Sequence, residues 1–65
     1  MLNTTSRETD VIRLLVEGKS NYEIGNELFI STHTVKKVLE NLFEKTRSRN
    51  RVQVAVYAIR NNIIK

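Results

Sequence analysis

Apolar residues recur along this chain at helical spacing in three windows and crowd a fourth. In the first, Val11, Ile12, Leu15 and Val16 fall at i, i+1, i+4 and i+5, one face of a helix. Thr5 and Glu8 precede them in the order of a capping box, in which the hydroxyl accepts from the third helical N–H and the carboxylate reaches back. Gly18 stands where a helix ends on a left-handed residue, so the pattern predicts a helix over 6–17. Ser20 and Glu23 repeat the box, and Tyr22, Ile24, Gly25 and Leu28 predict a short helix over 21–28. Phe29 and Ile30 follow directly, which predicts a turn pinned to the core. Ser31 is a good N-cap for a third helix over 32–46. That helix carries Val35, Val38, Leu39, Leu42 and Phe43 on one side and His33, Lys36, Lys37, Glu40, Asn41 and Glu44 on the other. Residues 47–50 hold no apolar side chain and read as a loop, and Asn50 with Gln53 caps a fourth helix over 51–61. This last helix is apolar on more than one side. Val52, Ala55, Val56 and Ile59 are assigned to the core, leaving Val54, Tyr57 and Ala58 for a second surface.

Four helices with no strand signal place the chain in the all-α class, and 65 residues allow one domain, residues 1–65. Proline is absent and glycine occurs twice, so few turns of special geometry are expected. The break between the second and third helices is about three residues, which forces a sharp crossing of the helix-turn-helix kind. No apolar run is long enough to span a bilayer. The absence of cysteine fits a reducing compartment, and the expected setting is the cytoplasm with no membrane partner.

Charge sharpens this picture. Residues 1–30 carry a net −2 and residues 31–65 a net +6. A basic half on a small domain is the footprint of a polyanion, and the sharp crossing supplies a helix to face it. In such an arrangement the second helix of the pair enters the DNA major groove. Lysine donates to guanine, asparagine pairs with adenine and glutamate accepts from cytosine, so Lys36, Lys37, Glu40 and Asn41 are candidate base-facing residues. Free N–H groups at helix starts hold phosphates, and Ser20, Asn21, Ser31, Thr32, His33 and Thr34 flank two such starts. Arg47 and Arg49 are candidate phosphate contacts in the loop. Arg51 is a candidate phosphate contact or a structural residue paired with an acid such as Glu8, and the structural role is the slightly preferred reading.

The stretches "TSRETDVIRLLVEGKSNYEIGNELFISTHTVKKVLENLFEK" and "NRVQVAVYAIRNN" resemble the LuxR/GerE-type helix-turn-helix, the DNA-binding domain of quorum-sensing, NarL/FixJ-type and spore regulators. The resemblance rests on R-E at 7–8, E-G at 17–18, S-N-x-E-I at 20–24, L-x-I-S at 28–31, T-V-K at 34–36, and N-R with Ala55. It covers about Thr5 to Ile63. It implies a four-helix domain whose third helix reads the major groove and whose fourth pairs across a two-fold axis. On this implication Lys36, Lys37 and Glu40 contact bases or phosphates, Thr34 contacts phosphate or caps, and Val54, Tyr57, Ala58 and Asn61 form the dimer face. Thr4, Gly25, Val38, Thr46 and Ser48 depart from the family pattern, where Leu, Ala, His, Leu and an aliphatic residue are usual. Gly25 is expected to loosen the second helix by roughly 1 kcal/mol.

One His and no Cys give neither a nucleophile–base pair nor a metal cluster, so no enzyme, metal or cofactor is expected. The expectation is a transcription regulator that binds double-stranded DNA as a homodimer, with RNA polymerase as a further partner. The rival is a small helical protein-interaction module that does not bind DNA.

Overall fold

Thr5 starts the fold as its spacing with Glu8 predicts. Its hydroxyl accepts from the Glu8 N–H at 3.1 Å, and the Glu8 carboxylate accepts from the Thr5 N–H at 2.9 Å. The computed structural model describes residues 4–64, in four helices: α1 (Ser6–Val16), α2 (Asn21–Leu28), α3 (Thr32–Thr46) and α4 (Arg51–Arg60). Ser20, Ser31 and Asn50 cap the later helices, each accepting from the N–H three residues on. A side-chain oxygen thus takes one otherwise orphaned amide at every start.

The helix ends share a device as well. Gly18, Phe29, Arg47 and Asn62 each take a positive φ, between 54° and 86°. After each, the next N–H reaches back five residues: Lys19 to Leu14, Ile30 to Gly25, Ser48 to Phe43 and Ile63 to Ala58, at 2.9–3.1 Å. This is the left-handed stop of a Schellman-type end. The scarcity of glycine therefore does not limit special turns here. Three of the four positions hold a side chain that pays the steric cost of φ > 0, about 1 kcal/mol each, and the closing hydrogen bond compensates.

Among the described residues nine apolar side chains form the core: Val11, Ile12 and Leu15 from α1, Ile24 from α2, Val35, Leu39 and Leu42 from α3, and Val54 and Ala58 from α4. Leu14, Leu28, Ile30, Val38, Phe43, Ile63 and Ile64 pack around them. One expectation fails at the surface. Phe29 is 94% exposed rather than pinned, because a left-handed residue at a helix end turns its side chain outward; Ile30 alone anchors that turn. Tyr22 is also exposed.

Gly25 has a packing role beside its expected cost to the helix. A Cβ there would sit 2.7 Å from the Ile30 carbonyl oxygen, so the glycine lets the α2–α3 turn close tightly onto α2. Thr46 and Ser48 replace aliphatic packing with hydrogen bonds. The buried Thr46 hydroxyl donates to the Leu42 carbonyl at 2.7 Å and lies 2.6 Å from the Ser48 hydroxyl.

Glu8 has a second partner. Lys45, in the last turn of α3, donates to the same carboxylate oxygen at 2.7 Å and ties α3 to the start of α1. Burial alone would push the Glu8 carboxyl up. Hydrogen bonds from Lys45 and from the Thr5 N–H, with the Lys45 charge, outweigh it and hold the group below the ordinary glutamate range. The unfolded chain then binds the proton more readily. The stability from Glu8 is complete above the unfolded value and is lost as pH falls through the folded one. Glu8→Gln is expected to cost about 1 kcal/mol at neutral pH, the Lys45 end being partly open to solvent. Denaturant unfolding over a pH series should show that deficit shrinking to nothing in acid. A deficit constant with pH would contradict the ion pair's role.

Candidate nucleic-acid interface

Val35, Leu39 and Leu42 hold α3 to the core along one stripe. The helix period then leaves Thr32, His33, Lys36, Lys37, Glu40, Asn41 and Glu44 exposed on the outside. Lys45 is the exception among its cations, being drawn inward to Glu8.

At the α3 start, the Ser31 hydroxyl accepts from the Thr34 N–H at 3.0 Å and lies 2.9 Å from the Thr34 hydroxyl. Thr34 is therefore part of the cap, and the N–H groups of Thr32 and His33 remain as donors without a fold-internal partner. At the α2 start, Ser20 and Glu23 spend their own N–H groups on each other. The Glu23 carboxyl is held below its usual range by the Ser20 N–H and hydroxyl, so a negative charge stands at that end. Asn21 accepts from Arg51 through its side-chain oxygen at 2.9 Å.

The two helix starts belong to elements that pack directly on each other. Arg47 and Arg49 lie elsewhere. Both are exposed, but they follow the far end of a 15-residue helix. At 1.5 Å per residue that is roughly 20 Å from Ser31. Arg51 does not meet the expected acid: it donates to Asn21 and to the Lys19 carbonyl, whereas Glu8 takes Lys45. Sequence spacing carries no signal for that long-range choice.

The faces of α4 are the reverse of the sequence expectation. Val54 and Ala58, assigned to a dimer face, are fully buried, and Tyr57 is half-buried. Val52, Val56 and Ile59, assigned to the core, are 67%, 40% and 55% exposed. The reason is the near-uniform apolarity of this helix, which leaves its rotation open to sequence reasoning. Packing against both α1 and α3 selects the slimmer Val54–Ala58 edge, one turn apart. Asn61 is exposed, but its amide donates to the Tyr57 carbonyl at 2.9 Å and closes the helix end. The free apolar stripe is Val52, Val56 and Ile59. It borders a shallow groove of about 280 Å³ shared with Leu15, Gly18, Arg51 and Ala55.

Among the described residues no helix is long and apolar enough to cross a membrane, and no group of His, Cys, Asp or Glu is arranged to hold a metal.

Residues 3–58 match the model of the bacterial regulatory proteins of the luxR family. The chain is 47% identical over 60 residues to the transcriptional regulatory protein LiaR of Bacillus subtilis, covering 92% of this chain and 28% of that protein. It is 44% identical over 63 residues to the probable transcriptional regulator ycf29 of Cyanophora paradoxa, covering 97% and 30%. It is 39% identical over 61 residues to the transcriptional regulatory protein DegU of Brevibacillus brevis, covering 94% and 26%. The chain spans less than a third of the length of each of these relatives.

The two faces of α4 separate in a pair of variants. Val54→Asp places an unpaired charge in the core and should cost several kcal/mol, much of a domain's stability of about 5–15 kcal/mol. Val56→Asp should melt within a few degrees of the parent and lose whatever self-association the parent shows. Circular dichroism melts with sedimentation velocity check both. A stable, folded Val54→Asp protein would contradict this rotation of α4.

Proposed function

The chain belongs to the luxR family of bacterial regulatory proteins, and from that premise we propose that residues 1–65 form a sequence-specific, double-stranded-DNA-binding unit of a transcription regulator. One observation carries the reading: α3 is buried along Val35, Leu39 and Leu42, and its opposite stripe presents His33, Lys36, Lys37, Glu40 and Asn41 to solvent at the end where helix-start N–H groups are free.

In this reading α3 lies in the major groove. Lys36 and Lys37 donate to guanine or to phosphate, Asn41 pairs with adenine, and Glu40 accepts from a cytosine amino group. Glu40 follows Lys36 by four residues, the weaker orientation for a helical ion pair, worth only a few tenths of a kcal/mol. Its larger effect is to repel phosphate wherever the cytosine is missing, which sharpens choice at the expense of affinity. The Thr32 and His33 N–H groups, the Ser20, Ser31 and Thr32 hydroxyls, and Asn21 hold phosphates and set register. Arg47 and Arg49 extend the contact toward the other end of α3. Pairing of two copies uses the exposed Val52, Val56 and Ile59 stripe, so that the two recognition helices meet successive half-sites. Contact with RNA polymerase and a cytoplasmic setting belong to the same reading of the whole regulator.

The exposed α4 stripe also fits a module that binds only protein, and DNA titration separates the two. The parent should bind duplex DNA with an affinity that falls steeply as salt rises. On a duplex selected from a random pool, Lys36→Ala and Lys37→Ala should each cost about 1–3 kcal/mol of binding while leaving the melting temperature unchanged. Binding indifferent to salt, or alanine variants as tight as the parent, would remove DNA from this account.

A further inference from the structure

Arg51 and Asn21 are the first residues of α4 and α2, two helices whose backbones do not pack on each other. The Arg51 side chain crosses between them. Its Nη1 donates to Asn21 Oδ1 at 2.9 Å, and its Nη2 donates to the Lys19 carbonyl at 2.6 Å. Both Arg51 and Asn21 are half-buried, so the contact is held between protein atoms rather than in open solvent.

The chemistry of the two groups fixes more than their distance. A guanidinium has five donors and no acceptor, so only the oxygen end of a carboxamide can face it. Of the two ways the Asn21 amide can lie, Arg51 permits one. The Nδ2 group, with two hydrogens, is thereby turned to the other side. It has no protein partner among the described residues and is not buried. The Lys19 carbonyl, fixed by the second guanidinium nitrogen, holds the peptide leading into the Ser20 cap, so the backbone under Asn21 is set by the same side chain.

We propose that Arg51 is a positioning residue that locks the Asn21 amide so that its NH2 group is presented as a neutral donor to a phosphate of the DNA backbone. The proposal rests on the duplex-binding reading above. An unlocked amide can rotate and offer its oxygen instead, which phosphate repels. A fixed donor is useful at this end of α2 because the Glu23 carboxylate, which accepts from the Ser20 N–H, opposes phosphate there. Two of the five guanidinium donors of Arg51 go to protein acceptors, and in this proposal it acts through Asn21 rather than by a contact of its own.

The test is a salt series of binding to mixed-sequence duplex DNA, with melting temperatures in parallel. Asn21→Ala should bind about tenfold more weakly, the loss of one hydrogen bond to a charged group. The slope of log affinity against log salt should not change, because a neutral amide displaces no counterion. Arg51→Met should weaken binding several-fold, again at unchanged slope, and parent-like binding by Arg51→Met beside a weakened Asn21→Ala would overturn the proposal. The double variant should bind no more weakly than Asn21→Ala. Asn21→Asp keeps an acceptor for Arg51 and should melt no lower than the parent, yet bind DNA worse. If Arg51→Met folds poorly, Arg51→Lys, which keeps the charge but lacks the planar fork that reaches both acceptors, should give intermediate affinity at the parent slope.

A slope reduced by about 0.9 in Arg51→Met would make Arg51 itself a phosphate contact and overturn the proposal. Asn21→Ala and Asn21→Asp binding like the parent would reduce the contact to a strut between helices and overturn it too. Lys36→Ala distinguishes the levels. If it weakens binding while the Asn21 variants do not, this inference alone falls; if the parent ignores duplex DNA altogether, the functional reading falls with it.

Discussion

Val35, Leu39 and Leu42 anchor α3 along one narrow stripe, and the arrangement of the whole domain follows from how that stripe is covered. Among the described residues the buried core holds nine apolar side chains, supplied by all four helices. A third helix buried all round would leave nothing to face a partner, and one buried less would not stay in place. Ile24 from α2, the α1 face and the Val54–Ala58 edge of α4 close over the stripe, and the Lys45–Glu8 pair fixes its far end. The outward stripe can then be polar and basic at little cost to stability.

Such a small core leaves the helix ends to specify much of the geometry. Side-chain caps start every helix and a left-handed residue stops every one. Two of these devices also shape the candidate interface. Gly25 lets the Ile30 carbonyl approach within a distance a Cβ would contest, which draws the start of α3 against α2. The Ser31–Thr34 cap leaves the next two amides of α3 unspent, where a capping box would have added a carboxylate against phosphate.

The helices, their starts and the polar stripe of α3 were legible in the sequence because each rests on local spacing: a cap and its third amide, a gap of three or four between apolar residues. The all-α class and the luxR-type resemblance agree with the fold and the family match. What was illegible is tertiary. A helix apolar on nearly every side leaves its rotation open, and Val54 and Ala58, which the pattern assigns to an outer surface, do not reach it. The partners of Arg51 and Glu8 lie 30 and 37 residues away, beyond any periodic signal. Phe29 looked like an anchor by composition, while its left-handed backbone turns it to solvent.

The central claim is that the outward stripe of α3, with the adjoining helix starts, meets duplex DNA. Amide NMR of the labelled protein titrated with a mixed-sequence duplex tests it most directly. Chemical-shift changes should concentrate at Ser20, Asn21 and from Ser31 to Asn41, and be weak across the outer face of α1 at Asp10 and Arg13. Changes centred on α1, or on Val52, Val56 and Ile59 with α3 silent, would contradict the account.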